Sequence, residues 1–360
     1  MTTLPQIRGL LLEEAILYLL RSSCYRTIEL RHVPHDPTLQ VKPRSKTDIE
    51  VIGRGSPHQI DAIADYMIAQ PFSSPQRLLV EAKCYREKIE IDIVRNAVGV
   101  LKDVSEYYGT SQEKVVPVRH RYHYQYALFS ASDFTVRSQQ YAYAHDIHLF
   151  PLAHSAYMQP ILATINKLTY QDFGASSEQK IPVRPGELRA AIRAQVRNST
   201  ANDLAALLND MRPALNIMLR FSELCKQLGS GLLMMIDRQF PVLLLPSPEN
   251  NLFSVAESHM PVRVKRTEGQ WFLESTHNPR YRLSFDLPRA LFLLYAKNGQ
   301  LSKEASLDLK GDRLGVMQAF YTHRDGAEDE LTSVQMITFE LDQNWLNDMR
   351  KNLSGRQKTQ

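Results

Sequence analysis

The sequence of 360 residues predicts an α/β core, in which helices flank a mixed sheet, followed by a helical segment and a β-rich C-terminal domain. Three observations predict it. Strand-like and helix-like segments alternate up to about residue 155, helical spacing dominates from there to Gly229, and short strand-like runs separated by turns follow. We therefore divide the chain into an α/β domain (1–170), a linker and helical segment (171–229) and a β-rich domain (230–360).

The α/β domain begins with a helix from Arg8 to Ser23, in which apolar residues recur at helical spacing. Four strand-like stretches follow, and then a helical stretch that ends near Gly109, a residue that favours helix termination. A strand, a helix and a last strand complete the domain. In order, these stretches read TIELRHV, DIEVIGRG, HQIDAIADYMI, RLLVEAK, EIDIVRNAVGVLKDVSEYYG, YQYALFSAS, VRSQQYAYAHD and IHLFPLA.

Composition restricts the class of protein. Hydrophobic residues make up 43% and charged residues 23%, which is typical of a folded chain. The net charge of +4 permits nucleic-acid binding without requiring it. The three cysteines are scattered and form no metal-binding pair, so we expect a reducing, cytoplasmic location. No apolar run has the length that crosses a bilayer, so no membrane association is expected.

Two charged residues stand on one face of a strand that should be buried. Side chains alternate along a strand, so Glu81 and Lys83 share a face in LLVEAKCYREK. Burying such charges without partners costs several kcal/mol. A salt bridge within the strand explains the pair, and an ion site explains it more fully. Asp61, a lone acid on the preceding apolar strand, would reach the same metal ion if the two strands were antiparallel neighbours.

An Asp followed by Glu-x-Lys on the next strand resembles the PD-(D/E)xK nuclease superfamily. The runs GRGSPHQIDAIADY and RLLVEAKCYREKIEIDIVRNAVGVLKD resemble its Mrr-type restriction endonuclease branch, and so does YALFSASDFTVRSQQYAYAHDIHLF. The first helix of that branch carries a Glu, which Glu13 matches in LLEEAILYLLRSSCYR. Leu12 and Cys24 depart from the aromatic residue and the glycine of that pattern. The resemblance covers about residues 8–155 and implies a restriction-endonuclease-like core.

The resemblance implies a Mg²⁺-dependent DNA endonuclease, with Mn²⁺ able to substitute. Asp61, Glu81 and the carbonyl of Ala82 would bind the metal. Lys83 would orient the attacking water or stabilise the charged phosphate, and Glu13 would hold a second metal or a metal-bound water. The β-rich domain of such a restriction or anti-phage defence effector would recognise a target, a partner protein or a signal ligand. The alternative is a non-catalytic nucleic-acid-binding or assembly protein on a nuclease-like fold.

Further residues are candidates for DNA contact: Arg54, His58, Gln59 and Arg95. Each has a structural alternative, since Arg95 could form a surface ion pair with Asp92 or Glu90, and His58 could have no binding role. Cutting both DNA strands requires two sites, so we expect a homodimer.

A row of arginines at spacings of four is predicted on one face of the helical segment, formed by Arg189, Arg193 and Arg197. That face could be solvated or could follow phosphates.

Overall fold

The computed structural model describes residues 2–21, 25–33, 39–44, 48–68, 72–107, 122–155, 157–176, 180–198, 200–229, 232–236, 240–246, 258–267, 269–278, 281–325 and 330–357. The chain divides into two compact units, of which the second begins at residue 230. Within the described ranges, no helix is both long and apolar enough to cross a bilayer.

A mixed sheet of five strands forms the centre of the first unit. Its strand order is β1-β5-β6-β7-β8, in which β5 is antiparallel to β1 and β6, whereas β6, β7 and β8 run parallel. The strands are β1 (Tyr25–Thr27), β5 (Ala62–Tyr66), β6 (Gln76–Lys83), β7 (His123–Ser130) and β8 (Ile147–Pro151). The smaller antiparallel sheet comprises β2 (Val41–Pro43), β3 (Ile49–Ile52) and β4 (Pro57–Gln59).

Helices flank the central sheet, as the sequence predicts. The helix α1 (Leu4–Arg21) contacts β1 and β6, and α2 (Ile91–Ser105) contacts β7. The helix α3 (Val136–Ala144) packs on α2 and β8, and α4 (Gln159–Lys167) packs on α1. The apolar face of α2 closes a core on the sheet. That core includes Ile63, Leu79, Val94, Ala97 and Tyr126.

The helices of 171–229 belong to the same compact unit as the residues before them. They are α5 (Pro185–Arg197), α6 (Asp203–Leu207) and α7 (Arg212–Gly229). Both α5 and α7 contact α1, because each buries an apolar stripe there. The buried residues of the three helices include Leu188, Ile192, Leu204, Met218, Phe221 and Leu228.

The second unit is β-rich, as predicted. Seven strands pair in the closed cycle β10-β13-β12-β11-β15-β14-β9. They are β9 (Leu232–Ile236), β10 (Phe240–Pro246), β11 (His259–Thr267), β12 (Gln270–Ser275), β13 (Arg282–Phe285), β14 (Val316–Asp325) and β15 (Glu330–Leu341). The unit also has three helices: α8 (Arg289–Tyr295), α9 (Lys303–Arg313) and α10 (Gln343–Gln357). A β-rich pattern does not predict α8 and α9, which lie among strand-like runs.

Three segments of the first unit differ from the prediction. The stretch TIELRHV, predicted as a strand, contributes only Thr27 to β1, and Leu30–His32 forms a 3-10 helix. The stretch predicted as a single strand around Asp61 divides into β4 and β5, because β4 pairs with β3 in the small sheet while β5 joins the central sheet. Asp61 therefore lies at the bend before β5 rather than inside a strand. The helix predicted to reach Gly109 ends at Ser105, and residues 108–121 lie outside the described part of the chain.

Candidate active site

The bend before β5 places Asp61 against β6. Ala62 is the partner of Val80 in the antiparallel ladder, which brings Asp61 opposite the Glu-x-Lys segment. The amide of Ala82 donates a hydrogen bond of 2.8 Å to Oδ2 of Asp61. Burial raises the pKa of the Asp61 carboxyl, and the nearby Glu81 also raises it, while the Ala82 amide and Lys83 oppose the rise. A further positive charge nearby would therefore stabilise the ionised form of Asp61.

Glu81 and Lys83 share a face at the end of β6, as the alternation along the strand predicts. The Lys83 Nζ forms an ion pair with Oε1 of Glu81. Oε2 of Glu81 accepts a hydrogen bond of 2.8 Å from the Tyr126 hydroxyl of β7. Burial tends to lower the pKa of Lys83, but Glu81 and then Asp61 raise it overall. Lys83 therefore remains an ammonium ion, held beside two carboxylates.

The backbone of β6 directs Ala82 toward Asp61. The amide of Ala131, next to the end of β7, donates a hydrogen bond to the carbonyl of Lys83, so the Lys83 carbonyl is directed toward β7. Neighbouring residues of a strand direct their backbone groups to opposite sides, and the amide and carbonyl of one residue share a side. Since the Ala82 amide binds Asp61, the Ala82 carbonyl is directed to the β5 side as well.

Glu13 of α1 adds another acid next to Asp61. Burial raises the pKa of Glu13 from 4.5 to about 7, and the charge of Asp61 is the next largest cause. Arg189 of α5 forms an ion pair with Glu13 and lowers that pKa in part. Electrostatic interactions thus link Glu13 to Asp61, and Asp61 in turn to Glu81 and Lys83.

In the arginine row of α5, Arg189 and Arg193 form ion pairs with acids of α1, whereas Arg197 is exposed, as a solvated face predicts. Contact of this row with phosphates stays a prediction. The Nη1 of Arg189 lies 2.5 Å from Oδ1 of Asp48, in addition to its contact with Glu13. Arg193 makes two hydrogen bonds of 2.8 Å to Glu14, which is only 1% exposed. These arginines therefore tie α5 to α1 through buried charge pairs.

A cleft of about 340 Å³ lies beside Glu13, Asp61 and the arginines of α5. Acidic and basic side chains line it together, so it is suited to a charged ligand rather than an apolar one. Its polar lining includes Glu13, Gln59, Asp61, Arg189, Arg193 and Arg197.

The donor set fits a hard cation that keeps part of its water shell. Among the described residues, no three His, Cys, Asp or Glu side chains form a complete ligand cluster. Mg²⁺ does not require one, because it is usually held by one or two carboxylates together with water. Asp61 and Glu81 supply two carboxylates, and the Ala82 carbonyl supplies a third oxygen. Each carboxylate oxygen retains a lone pair beyond the hydrogen bonds described above.

The four residues predicted to contact DNA lie in different surroundings. The Nη1 of Arg54 is 3.3 Å from Glu106, and the Nη1 of Arg95 is 3.0 Å from Asp92, which is the surface ion pair considered as its alternative. Gln59 lies exposed on β4 at the cleft. DNA contact by these residues stays a prediction.

His58 belongs to a turn organised by Asp103 of α2. Its Nε2 lies 2.6 Å from Oδ2 of Asp103, which also accepts hydrogen bonds from the amides of Gly55 and Ser56. The bond from His58, with these amides, lowers the pKa of Asp103. A Cβ on Gly53 would come within 2.1 Å of Asp103, so glycine is required there by close approach. This turn carries Arg54.

No protein-family model and no curated protein matches this chain. The crystal structure of the protein of unknown function AF1548 is similar over 59% of this chain and 98% of its own, at 14% identity and a TM-score of 0.26. That likeness is too weak to indicate a shared fold or function.

Sequence reasoning missed two groups at this site. Tyr126 holds Glu81, and the signal for it is the alternation along YQYALFS, which directs Tyr124, Tyr126 and Leu128 to one face. Arg189 was noticed as part of a row, but its partners were not. The Glu13-Glu14 doublet inside an otherwise apolar helix was the available signal, because buried acids need cationic partners.

Proposed function

We propose that this protein is a Mg²⁺-dependent DNA endonuclease whose first unit has a restriction-endonuclease-like core of the PD-(D/E)xK, Mrr-like type. The observation that supports this best is the junction of β5 and β6. There Asp61 accepts a hydrogen bond from the Ala82 amide. Glu81 and Lys83, two residues apart, lie on one face of β6. A buried salt bridge explains Glu81 and Lys83, but among the described residues no ion pair joins the desolvated Asp61, whose pKa is raised although the charges of Lys83 and Arg189 oppose the rise.

Each group has a defined task in phosphodiester hydrolysis. Bound Mg²⁺ supplies Lewis-acid polarisation of the phosphate and a lower pKa for a coordinated water. Asp61, Glu81 and the Ala82 carbonyl hold the ion, and Tyr126 fixes the orientation of Glu81. The Lys83 ammonium offsets the negative charge that develops on the phosphate. Glu13, with a pKa of about 7, accepts a proton from water or binds a second ion near neutral pH.

The remaining functional assignments rest on this proposal. Arg54, His58, Gln59 and Arg95 contact the DNA, and the protein works as a homodimer so that two sites cut two strands. The leucine-rich stretch from Leu204 to Leu228 was expected to form the dimer contact. Its Leu204, Leu208, Leu224 and Leu228 are buried within their own unit and do not supply that surface. The second unit recognises a target, a partner protein or a signal in a restriction or anti-phage defence role.

Plasmid nicking tests the activity. Supercoiled plasmid should be nicked or linearised with Mg²⁺ or Mn²⁺ and left intact with EDTA. Calorimetry should show Mn²⁺ binding to the wild type and none to the Asp61→Ala, Glu81→Ala double variant. Equal Mn²⁺ binding by both proteins would remove the metal site.

Substitutions of Lys83 distinguish a catalytic role of this residue from a structural one. Lys83→Ala should leave Mn²⁺ affinity nearly unchanged and reduce nicking by roughly 100-fold or more, because the ammonium acts on charge formed in the transition state. Lys83→Arg should also fail, since a planar guanidinium does not replace a compact ammonium. Lys88→Ala, at an exposed position of the same segment, is the matched control. Normal nicking per folded molecule in Lys83→Ala would refute the mechanism.

A non-catalytic nucleic-acid-binding or assembly protein is the second candidate. It is favoured by Arg189, whose guanidinium forms an ion pair with Glu13, the acid that a second metal ion or its water would need. DNA binding that is unaffected by EDTA, together with no cleavage under any divalent cation, would support this candidate.

A further inference from the structure

One lysine side chain of the second unit is buried over most of its length and has no carboxylate partner among the described residues. Lys310 of α9 is only 6% exposed. Its amine lies 5.8 Å from the ring centre of Trp271 and 5.3 Å from that of Trp345. Among the described residues these indoles are its partners, and no hydrogen bond or ion pair joins it. The amine itself is not fully buried, so an anion from solution can reach it, and a partly desolvated ammonium without an acid favours such a partner.

A second cation lies on the same indole. The guanidinium carbon of Arg266, near the end of β11, is 5.8 Å from the ring centre of Trp271. No carboxylate of the described chain pairs with it. Burial, and then the charge of Arg266, lower the pKa of Lys310 from 10.5 to about 8. The two cations therefore repel each other, and no described acid compensates them.

Other cations of β11 show the usual arrangement. Arg263 lies 3.2 Å from Asp342, and Lys265 forms an ion pair with Glu274. Arg266 lacks the acid that its neighbours have.

The nearby acids of α9 are engaged elsewhere. Asp308 lies 3.6 Å from Arg350 of α10, and Asp312 accepts a hydrogen bond of 3.0 Å from the Tyr295 hydroxyl. The acids that flank Lys310 in sequence therefore do not neutralise it.

We propose that Lys310 and Arg266 form a binding site for a phosphate group, supplied either by a free nucleotide or by a nucleic-acid backbone. A guanidinium and an ammonium that both lie 5.8 Å from the ring centre of Trp271 supply the charge and the hydrogen-bond donors that the acceptor oxygens of phosphate need. The indoles of Trp271 and Trp345 exclude water from one side, which strengthens the attraction between the cations and an anion. The argument uses the second unit alone and does not depend on the proposed nuclease activity.

Intrinsic fluorescence tests this site directly. Trp271 and Trp345 are the two tryptophans of the chain, so all tryptophan emission originates beside Lys310. The full chain is titrated in EDTA with inorganic phosphate, a mononucleotide, a single-stranded oligodeoxynucleotide and acetate. We expect a saturable change of emission with phosphate-bearing probes and none with acetate. Tighter binding of the oligodeoxynucleotide than of the mononucleotide would assign the phosphate to a nucleic-acid backbone, and the reverse order to a free nucleotide.

Substitutions show whether the two cations carry the binding. Arg266→Gln, at an exposed position, should weaken binding by at least about tenfold, the value of one charge-assisted hydrogen bond. Lys310→Met should remove the response, with circular dichroism verifying the fold. Lys303→Met, on the exposed face of the same helix, is the matched control and should bind normally. The proposal is overturned if the wild type shows no saturable response, if acetate acts like phosphate, or if Arg266→Gln binds unchanged.

Discussion

Glutamine in place of Glu13 should stabilise the protein more at pH 8 than at pH 5. Burial, and then Asp61, raise the pKa of Glu13 from 4.5 to about 7. Each pKa unit corresponds to about 1.4 kcal/mol, so the ionised form costs up to roughly 3 kcal/mol more in the folded protein than in the unfolded chain. The Glu13 side chain is 22% exposed, which keeps solvent screening modest.

The sign follows from proton binding. Between pH 4.5 and 7 the folded protein holds the Glu13 proton, whereas the unfolded chain has released most of it. The folded state binds more protons, so the stability of the wild type falls as pH rises through this window. Glu13→Gln does not titrate. Its free energy of unfolding relative to the wild type should therefore rise by roughly 2 kcal/mol between pH 5 and pH 8.

Urea unfolding in EDTA at the two pH values measures this difference. Glu14→Gln is the matched control on the same helix. It leaves Arg193 without its buried carboxylate and should destabilise the fold by about 3–5 kcal/mol at both pH values. The reasoning about Glu13 is refuted if the gap between Glu13→Gln and the wild type is the same at pH 5 and pH 8.

Three further outcomes are expected. Gly53→Ala should destabilise the fold by about 1–3 kcal/mol, because its Cβ would come within 2.1 Å of Asp103. Gly99→Ala, whose Cβ would have no atom within 4 Å, should stabilise α2 by about 0.5–1 kcal/mol. Urea unfolding of both variants checks these values. Lys310→Met should raise the melting temperature at pH 7. This gain should shrink as pH rises from 8 toward 10.5, because folded wild-type protein then releases the proton of Lys310 that burial disfavours. An equal gain at pH 7 and pH 10 would contradict this. Tyr126→Phe should cost about 1 kcal/mol of stability and slow nicking while Mn²⁺ still binds, and unchanged nicking would show that this hydroxyl does not orient the site.

Much of the candidate site could be predicted from local sequence. The two-residue alternation along β6 alone puts Glu81 and Lys83 on one face, and the structure places them there as an ion pair. The hairpin-like interval after Asp61 predicted an antiparallel partner, and β5 and β6 pair in that way. The position of Asp61 at a bend was not predictable from periodicity, because it depends on β4 joining a different sheet.

The sequence by itself determined the alternation of strands and helices over most of the first unit, the shared face of Glu81 and Lys83 and the β-rich character of the second unit. These depend on neighbours within a few residues, and apolar periodicity records them directly. Only the tertiary structure decided the partners of α5 and of Lys310. Arg189 meets Glu13 across 176 positions of sequence, and Lys310 meets Trp271 through the packing of a helix on a strand. A buried charge requires some partner, but the sequence leaves its identity open, because several arginines satisfy the same requirement until the helices dock.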